Sequence, residues 1–330
     1  MATKNRNLNV ASKAKKDEFY TQLSDIEKEL KHHKKHFRDK VVYCNCDDPR
    51  ISNFFHYFSY NFEKLGLKKL MATCYKNQDM DLFSQNDSEQ AIYLEYLGDK
   101  NGNNIPDSEE IGIIHLKGDG DFRSKESIEF LKQADIIVTN PPFSLFREYI
   151  SQLMEYEKKF LVLGNQSAII YKGIFQFIKE NKLWLGVENG GTKWFEVPDD
   201  YDITTESRKK IENGKKYFSM GSIMWYTNLD TKKRHEELIL YRNYTPEKYP
   251  MYDNYDAIEV SRYTDIPIDY DGVMGVPVTF LDKYNPEQFE IIGSNRGVDQ
   301  DPDGIYGRGS YLNGKETFKR LFIRKKKVQN

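Results

Sequence analysis

The chain of 330 residues is 38% hydrophobic and 14% aromatic, and its 49 basic and 51 acidic side chains leave a formal net charge of -2. That balance excludes a protein that coats nucleic acid by bulk charge, yet it leaves room for a local basic cleft, because a patch rather than the total steers a polyanion. No stretch of about 18 apolar residues occurs, so no membrane span is expected.

The opening "MATKNRNLNVASKAKKDEF" is polar and basic without an apolar core, so no secretory signal is expected either. Cys44, Cys46 and Cys74 are too few for a disulfide framework and point to a reducing cytoplasm. The length suits one large domain or two. Ser24 and Glu27 have capping-box spacing ahead of "IEKELKHHKKHF", which predicts a helix there. "KVVYC" (40–44) reads as a buried strand, "SNFFHYFSYNFEKL" (52–65) as a helix and "KKLMATC" (68–74) as a second strand. Residues 75–110 read as an excursion ending in the turn-rich "GDKNGNNIPDSEE". The alternation resumes with strand "IGIIHL" (111–116), helix "SKESIEFLKQA" (124–134) and strand "DIIVTN" (135–140). A helix over "SLFREYISQLMEYE", strand "KKFLVLGN" (158–165), a helix over "YKGIFQFIKENK" and strand "LWLGV" (183–187) follow.

Short apolar strands alternating with helices predict an α/β fold with a doubly wound, mostly parallel sheet. The pattern weakens after about residue 190, where Tyr, Pro, Asp and Lys dominate short segments. Residues 1–190 are therefore expected to form one domain and 191–330 a second, irregular portion, in which "KYFSMGSIMWYTNLD" (216–230) could complete the first sheet. Two stretches could form a basic patch, "KHHKKHFRDK" (31–40) and "FKRLFIRKKK" (318–327); each also reads, more simply, as a solvated helix face or a charged tail.

Ligands of open α/β sheets sit outside the carboxyl ends of the strands. Three polar loops fall there: "CNCDDPRISNF", "KGDGDF" and "TNPPF". Each has a plain structural reading as well: an ordinary loop with an ion pair, a Gly-rich turn, and a helix cap made by Asn140. Their shared position on one sheet edge favours a site.

The quartet Asn140, Pro141, Pro142 and Phe143 has a specific chemical use. Neither proline can donate to a sheet ladder, and each restricts the residue before it to extended geometry. The chain is stiff there and presents an amide at the end of a buried strand. An exocyclic amino group conjugated to a ring is a poor nucleophile, because its lone pair is delocalised. Two acceptors aimed at its hydrogens, Asn140 Oδ1 and the Pro141 carbonyl, would favour a pyramidal nitrogen and turn that lone pair toward an electrophile. Phe143 can stack on the planar ring.

This quartet resembles the catalytic motif of amino-group DNA methyltransferases, which use S-adenosylmethionine. The stretches "DEFYTQ" (17–22), "KVVYCNCDDPRISNFF" (40–55), "GDGDFRS" (118–124), "IVTNPPFSLF" (137–146), "DNYDAI" (253–258) and "DYDGVMGVP" (269–277) are similar, in the same order, to EcoRI-type adenine-N6 modification methyltransferases. The resemblance implies a Rossmann-like catalytic domain, a C-terminal target-recognition portion, and duplex DNA as partner, with the target adenine flipped out of the helix. It implies that Asn140, Pro141, Pro142 and Phe143 surround that adenine. It places Asp121 and Phe122 at the adenine of the methyl donor, and Phe19, Tyr20 and Thr21 at the donor's methionine end. The "CNCDDPR" loop departs from the family pattern, having no G-x-G; Asn45 and Asp48 are the expected donor contacts there. The acidic residue expected after the second strand is also missing from "ATCYKN". The name-giving relative modifies GAATTC, a site this chain could share, and a monomer is expected because such enzymes act on each strand in turn.

Trp194 and Phe195 could supply a second stacking surface or simply be core. Arg242, Lys248, Arg262, Arg296, Arg308 and Lys319 are available to read base edges. RNA or protein-glutamine methylation, and a catalytically inactive DNA-binding relative, are the competing functions. No metal is expected. "DQDPDG" (299–304) has Ser310 where a calcium loop closes with Glu, and "DKNGNNIPDSEE" (99–110) has Asn104 where the turn needs Gly. His32, His33 and His36 lack an evident ligand set.

Overall fold

The computed structural model describes residues 20–46, 49, 52–74, 91–103, 105–107, 110–197, 199, 201–296 and 306–326. The chain divides into two compact units, Met1–Gln166 with Glu188–Leu229 and Ser167–Val187 with Asp230–Asn330. The division is thus not a single cut near residue 190: a short segment before that point belongs with the second unit, and about forty residues after it belong with the first.

The first unit opens with β1 (Tyr20–Thr21) and α1 (Leu23–Leu30), then β2 (Val41–Asn45), α2 (Asn53–Tyr60), α3 (Phe62–Leu65) and β3 (Lys69–Thr73). β4 (Ile92–Tyr96), β5 (Ile111–His115), α4 (Lys125–Gln133), β6 (Ile136–Thr139), α5 (Phe146–Glu155) and β7 (Lys159–Asn165) follow. After α6 (Ile174–Lys179) and β8 (Trp184–Leu185), both in the second unit, the first unit resumes with β9 (Phe195–Val197), β10 (Lys209–Glu212), β11 (Lys215–Phe218) and β12 (Ile223–Thr227). Its large sheet runs β5-β4-β3-β2-β6-β7-β12, with β3, β2, β6 and β7 mutually parallel. These central strands are buried along nearly their whole length, which explains their continuous apolar runs.

The antiparallel additions come from places where sequence periodicity was weak. β4 lies inside the expected excursion, paired antiparallel to β3, and β5 pairs antiparallel to β4 as the outer strand of this order. Edge position accounts for the exposure of Ile113 and Ile114. β12 returns antiparallel to β7, so part of segment 216–230 does join the large sheet, while β11 joins a smaller antiparallel sheet, β1-β9-β11-β10.

Helices pack on both faces of the large sheet. On one, Phe54 and Phe58 of α2 and Ile26 and Leu30 of α1 meet Val42, Leu70, Val138 and Trp225. On the other, Phe130 of α4 stacks on Tyr93 with centroids 4.4 Å apart, and Phe146 of α5 leans on Tyr226. Gly164 on β7 makes that second approach possible, since a Cβ there would lie 2.5 Å from the Phe146 ring.

The long helix expected from Ser24 onward does not form. Gln22 stands at the N-cap of α1 without a side-chain cap bond, and the helix ends at Leu30. His33 is fully buried, with Nε2 2.7 Å from Glu29 Oε1, while Glu29 Oε2 accepts the Glu188 amide at 2.6 Å. His33 and Phe37 are both buried, so "KHHKKHFRDK" is not one solvated helix face. The 99–110 loop is wired by its own polar side chains: Glu110 accepts the Lys100 amide at 2.6 Å and Asp99 the Gly102 amide at 2.7 Å. "DQDPDG" lies outside the described residues. Among those described, no helix is long and apolar enough to cross a membrane.

The second unit is less irregular than its composition predicts. β13 (Ala257–Glu259), β14 (Val273–Pro277) and β15 (Phe289–Ser294) combine with β18 (Arg320–Lys325), in the order β13-β14-β18-β15; a two-residue turn links the hairpin β16 (Tyr311–Leu312) and β17 (Lys315–Glu316). "FKRLFIRKKK" is therefore no charged tail: Leu321, Phe322 and Ile323 are fully buried in the strand between β14 and β15. Beside them Arg320 grips Glu259 through Nε and Nη2, at 3.0 and 2.6 Å, and the Tyr252 hydroxyl donates to the same carboxylate. The pair is nearly buried, so removing one partner strands a charge. Arg320→Leu is expected to lower unfolding free energy by about 3–5 kcal/mol in urea titrations, and adding Glu259→Leu should recover much of the loss.

Candidate active site

The chain leaves β2 toward β3 on one side and reaches β6 on the other, so β2 and β6 flank the point where strand order reverses. Ligand crevices form outside the carboxyl ends of strands at such points. Asn45 ends β2, and Asn140 follows the last residue of β6. Both are 4% exposed. Two hydroxyls lock them together: Thr139 donates to the Asn45 carbonyl, and Tyr149 of α5 donates to Asn45 Oδ1. Burial holds the Tyr149 phenol far above the usual tyrosine range, which keeps it a donor.

Asn140 caps no helix. The turn after it, Phe143–Leu145, starts from Pro142, and neither that turn nor α5 has a side-chain cap bond at its N-terminus. The Leu145 amide instead donates to the Pro142 carbonyl at 3.0 Å. Pro141 is buried and Phe143 half-buried. The Phe143 ring meets Phe195 edge-on, with centroids 6.2 Å apart. Phe195 is fully buried, so of its two expected roles it takes the core one, backing Phe143 rather than presenting a second stacking face.

The same Phe195 pairs with Thr21 across β9 and β1. Thr21 in turn offers its carbonyl to Asn53 Nδ2 at 2.7 Å, which ties it to the start of α2, beyond the β2 loop. Thr21 Oγ1 and Gln22 Nε2 are buried and have no hydrogen-bond partner among the described residues. Buried polar atoms normally find partners, so this pair marks a place where a polar ligand would be satisfied. Tyr20 is half-buried beside them on β1. Phe19 and Asp48 lie outside the described residues.

"GDGDF" is a tight turn, and more. Gly120 has φ +76, and a Cβ on it would sit 2.0 Å from the Cys74 carbonyl at the end of β3. The loop is thereby pressed against the sheet edge, which brings Phe122 against Tyr149 at 5.0 Å between centroids. Gln152 Nε2 holds the Phe122 carbonyl at 3.1 Å. Asp121 Oδ1 accepts from the Arg123 amide and Nε, and Oδ2 from Nη2 at 2.6 Å. Partial burial opposes ionisation of Asp121, but these guanidinium and amide bonds outweigh it and hold the carboxyl below its ordinary range.

The missing glycines of the β2 loop have a structural counterpart. Cys46 adopts φ +109, a conformation that favours glycine, so the chain makes the turn out of β2 at the expense of backbone strain. Thr139, Tyr149 and Gln152 were not singled out from sequence. Thr139 sits one residue before Asn140 and could have been inferred from strand pairing; Tyr149 and Gln152 look like ordinary residues of an amphipathic helix. Among the described residues no group of three or more His, Cys, Asp or Glu is placed to hold a metal ion.

The sequence signature of the family described as "Adenine-specific methyltransferase EcoRI" matches residues 7–328. The chain is 50% identical to Type II methyltransferase M.EcoRI of Escherichia coli, over 98% of each chain. It is 39% identical to Type II methyltransferase M.MgeORF184P of Mycoplasma genitalium, over 97% of this chain and 99% of that one. It is 40% identical to Type II methyltransferase M.MpnI of Mycoplasma pneumoniae, over 86% of this chain and 84% of that one. No solved structure matches.

Two substitutions test this geometry. Cys46→Gly should relieve the backbone strain and raise stability by about 1 kcal/mol, read as a higher urea midpoint at constant slope. Tyr149→Phe leaves Asn45 Oδ1 without its donor in a dry place and should cost about 1–3 kcal/mol in the same titration.

Proposed function

The chain belongs to the EcoRI family of adenine-specific methyltransferases, and from that premise we propose that Asn140, Pro141, Pro142 and Phe143 carry methyl transfer to N6 of a flipped adenine in duplex DNA. It is a site-specific DNA adenine methyltransferase of the restriction–modification type. The observation that carries the assignment of residues is the position of Asn140: a buried amide at the end of β6, beside the reversal of strand order.

Adenine N6 is a weak nucleophile because its lone pair is shared with the ring. Asn140 Oδ1 and the Pro141 carbonyl accept its two hydrogens and hold them out of the ring plane, so the lone pair turns toward the electrophile. Phe143, braced by Phe195, stacks on the purine and fixes its plane. The amide acts by orientation and removes no proton before attack. S-adenosylmethionine, when bound, supplies a methyl group on a sulfonium centre that is open to direct displacement. The chain's residues fit that donor in two places. Thr21 Oγ1 can donate or accept and Gln22 Nε2 can donate, which suits an amino-acid end carrying both a carboxylate and an ammonium group. Asp121 Oδ2 keeps a lone pair beyond its Arg123 bond for an exocyclic amino group, and Phe122 gives an apolar wall. Tyr20, Asn45, Phe19 and Asp48 complete the set by resemblance.

On this reading the first unit is a doubly wound, Rossmann-like catalytic domain, and residues of the second unit provide target recognition, acting as a monomer. The test is transfer of labelled methyl from S-adenosylmethionine to unmethylated plasmid DNA by wild type and Asn140→Ala, with modified adenines mapped. Wild type is expected to label adenine N6 at one short motif, to be compared with GAATTC. Asn140→Ala should lose at least 100-fold in rate while still binding the donor. An Asn140→Ala enzyme as fast as wild type would remove Asn140 from the chemistry, and labelling of RNA or protein instead of DNA would overturn the substrate.

A further inference from the structure

Phe318 is 86% exposed, more than any other large apolar side chain among the described residues. An exposed aromatic on a loose loop would mean little. The backbone around Phe318 is not loose. Asn295 is fully buried and grips both sides of it: Nδ2 donates to the Phe318 carbonyl at 2.8 Å, and Oδ1 accepts the Arg320 amide at 2.8 Å. One residue before, the Thr317 amide donates to the carbonyl of buried Ser310 at 2.7 Å. Two residues after, Arg320 is anchored in the Glu259 carboxylate. A rigid support therefore holds out a large apolar side chain that it does not bury.

The surroundings are cationic. Residues 306–326 carry seven Lys and Arg, of which Arg320 is held by buried Glu259 and Lys325 lies 3.5 Å from Asp271, and a single acidic residue, Glu316, which is bound to Arg296 at 2.6 Å. Lys315 and Lys319, both exposed, flank Phe318. Lys319 Nζ lies 3.2 Å from Ser167 Oγ of the same unit. A lone apolar ring on a fixed basic support suits a polyanion whose interior is apolar and stacked. Proteins that unstack duplex DNA insert apolar side chains in this manner, with cations on the flanking phosphates.

We propose that Phe318 is a wedge that enters the base stack of the bound duplex and holds it open while the adenine is out. The inference rests on the DNA-methylating function above. It makes Phe318 a positioning residue that lowers the cost of flipping and takes no part in methyl transfer.

The test compares wild type, Phe318→Ala and Phe318→Trp on two duplexes, one fully paired and one with the target adenine mismatched, which flips at lower cost. Extrusion is followed by the fluorescence of 2-aminopurine at the target position, and methyl transfer is measured on the corresponding adenine duplexes. Phe318→Ala should lose at least tenfold in methyl transfer and most of the fluorescence rise on paired DNA. On the mismatch it should recover to within about threefold of wild type, and Phe318→Trp should restore function on paired DNA. Thermal unfolding should be unchanged, since the side chain is exposed. Equal activity of Phe318→Ala and wild type on paired DNA would overturn the wedge. So would a loss equal on both duplexes, which would make Phe318 a general binding contact. If wild type methylates neither duplex, the DNA-methylating function itself fails.

Discussion

The proposed active site hangs on one hydrogen-bonded junction, the main chain and side chain of Asn45. Its carbonyl takes the Thr139 hydroxyl and its amide oxygen takes the Tyr149 phenol, so the end of β2, the end of β6 and the first turns of α5 are held at one point. Everything the chemistry needs is measured from there. Asn140 is the next residue after Thr139, the prolines fix the direction of the chain beyond it, and Phe122 rests on the Tyr149 ring. Such a junction works only if dry and fully paired, which is why burial and a permanently neutral phenol matter as much as the bonds themselves.

The central strands were legible in the sequence because strands buried on both faces leave unbroken apolar runs, and because Asn140 and two prolines mark the end of β6. The quartet proposed here as catalytic stands out for the same reason. What escaped was set by tertiary context. β4 reads as a strand once its neighbours are known, but it lies between polar stretches that suggest a loop. The helix expected through "KHHKKHF" ends at Leu30, and His33, which reads as part of a charged surface, is buried beside Glu29. β18 was hidden by its own charges: Arg320, Arg324 and Lys325 make the segment look like a tail, while Leu321, Phe322 and Ile323 between them are core. Tyr149 could not have been found by pattern at all, since its role depends on an atom 104 residues away.

The turn out of β2, the proposed donor loop, is made through an unfavourable local sequence. Where relatives of the broader class use glycine, this chain bends with a cysteine at positive φ. The turn is kept and its comfort is not. By contrast, the approach of "GDGDF" to β3 has no such latitude, because Gly120 meets a backbone carbonyl that cannot move aside.

The junction at Asn45 joins partners 94 residues apart in sequence, and β7 is completed only by β12, which begins at residue 223. During synthesis, therefore, helices and the β3–β4–β5 meander can form early, but the strands that frame the site meet late. A nascent or truncated chain that stops before β12 holds every residue of the quartet Asn140–Phe143 and still lacks the completed sheet around them. Completion of the sheet around the proposed site thus depends on long-range closure of the chain, ending with the last strand of the first unit.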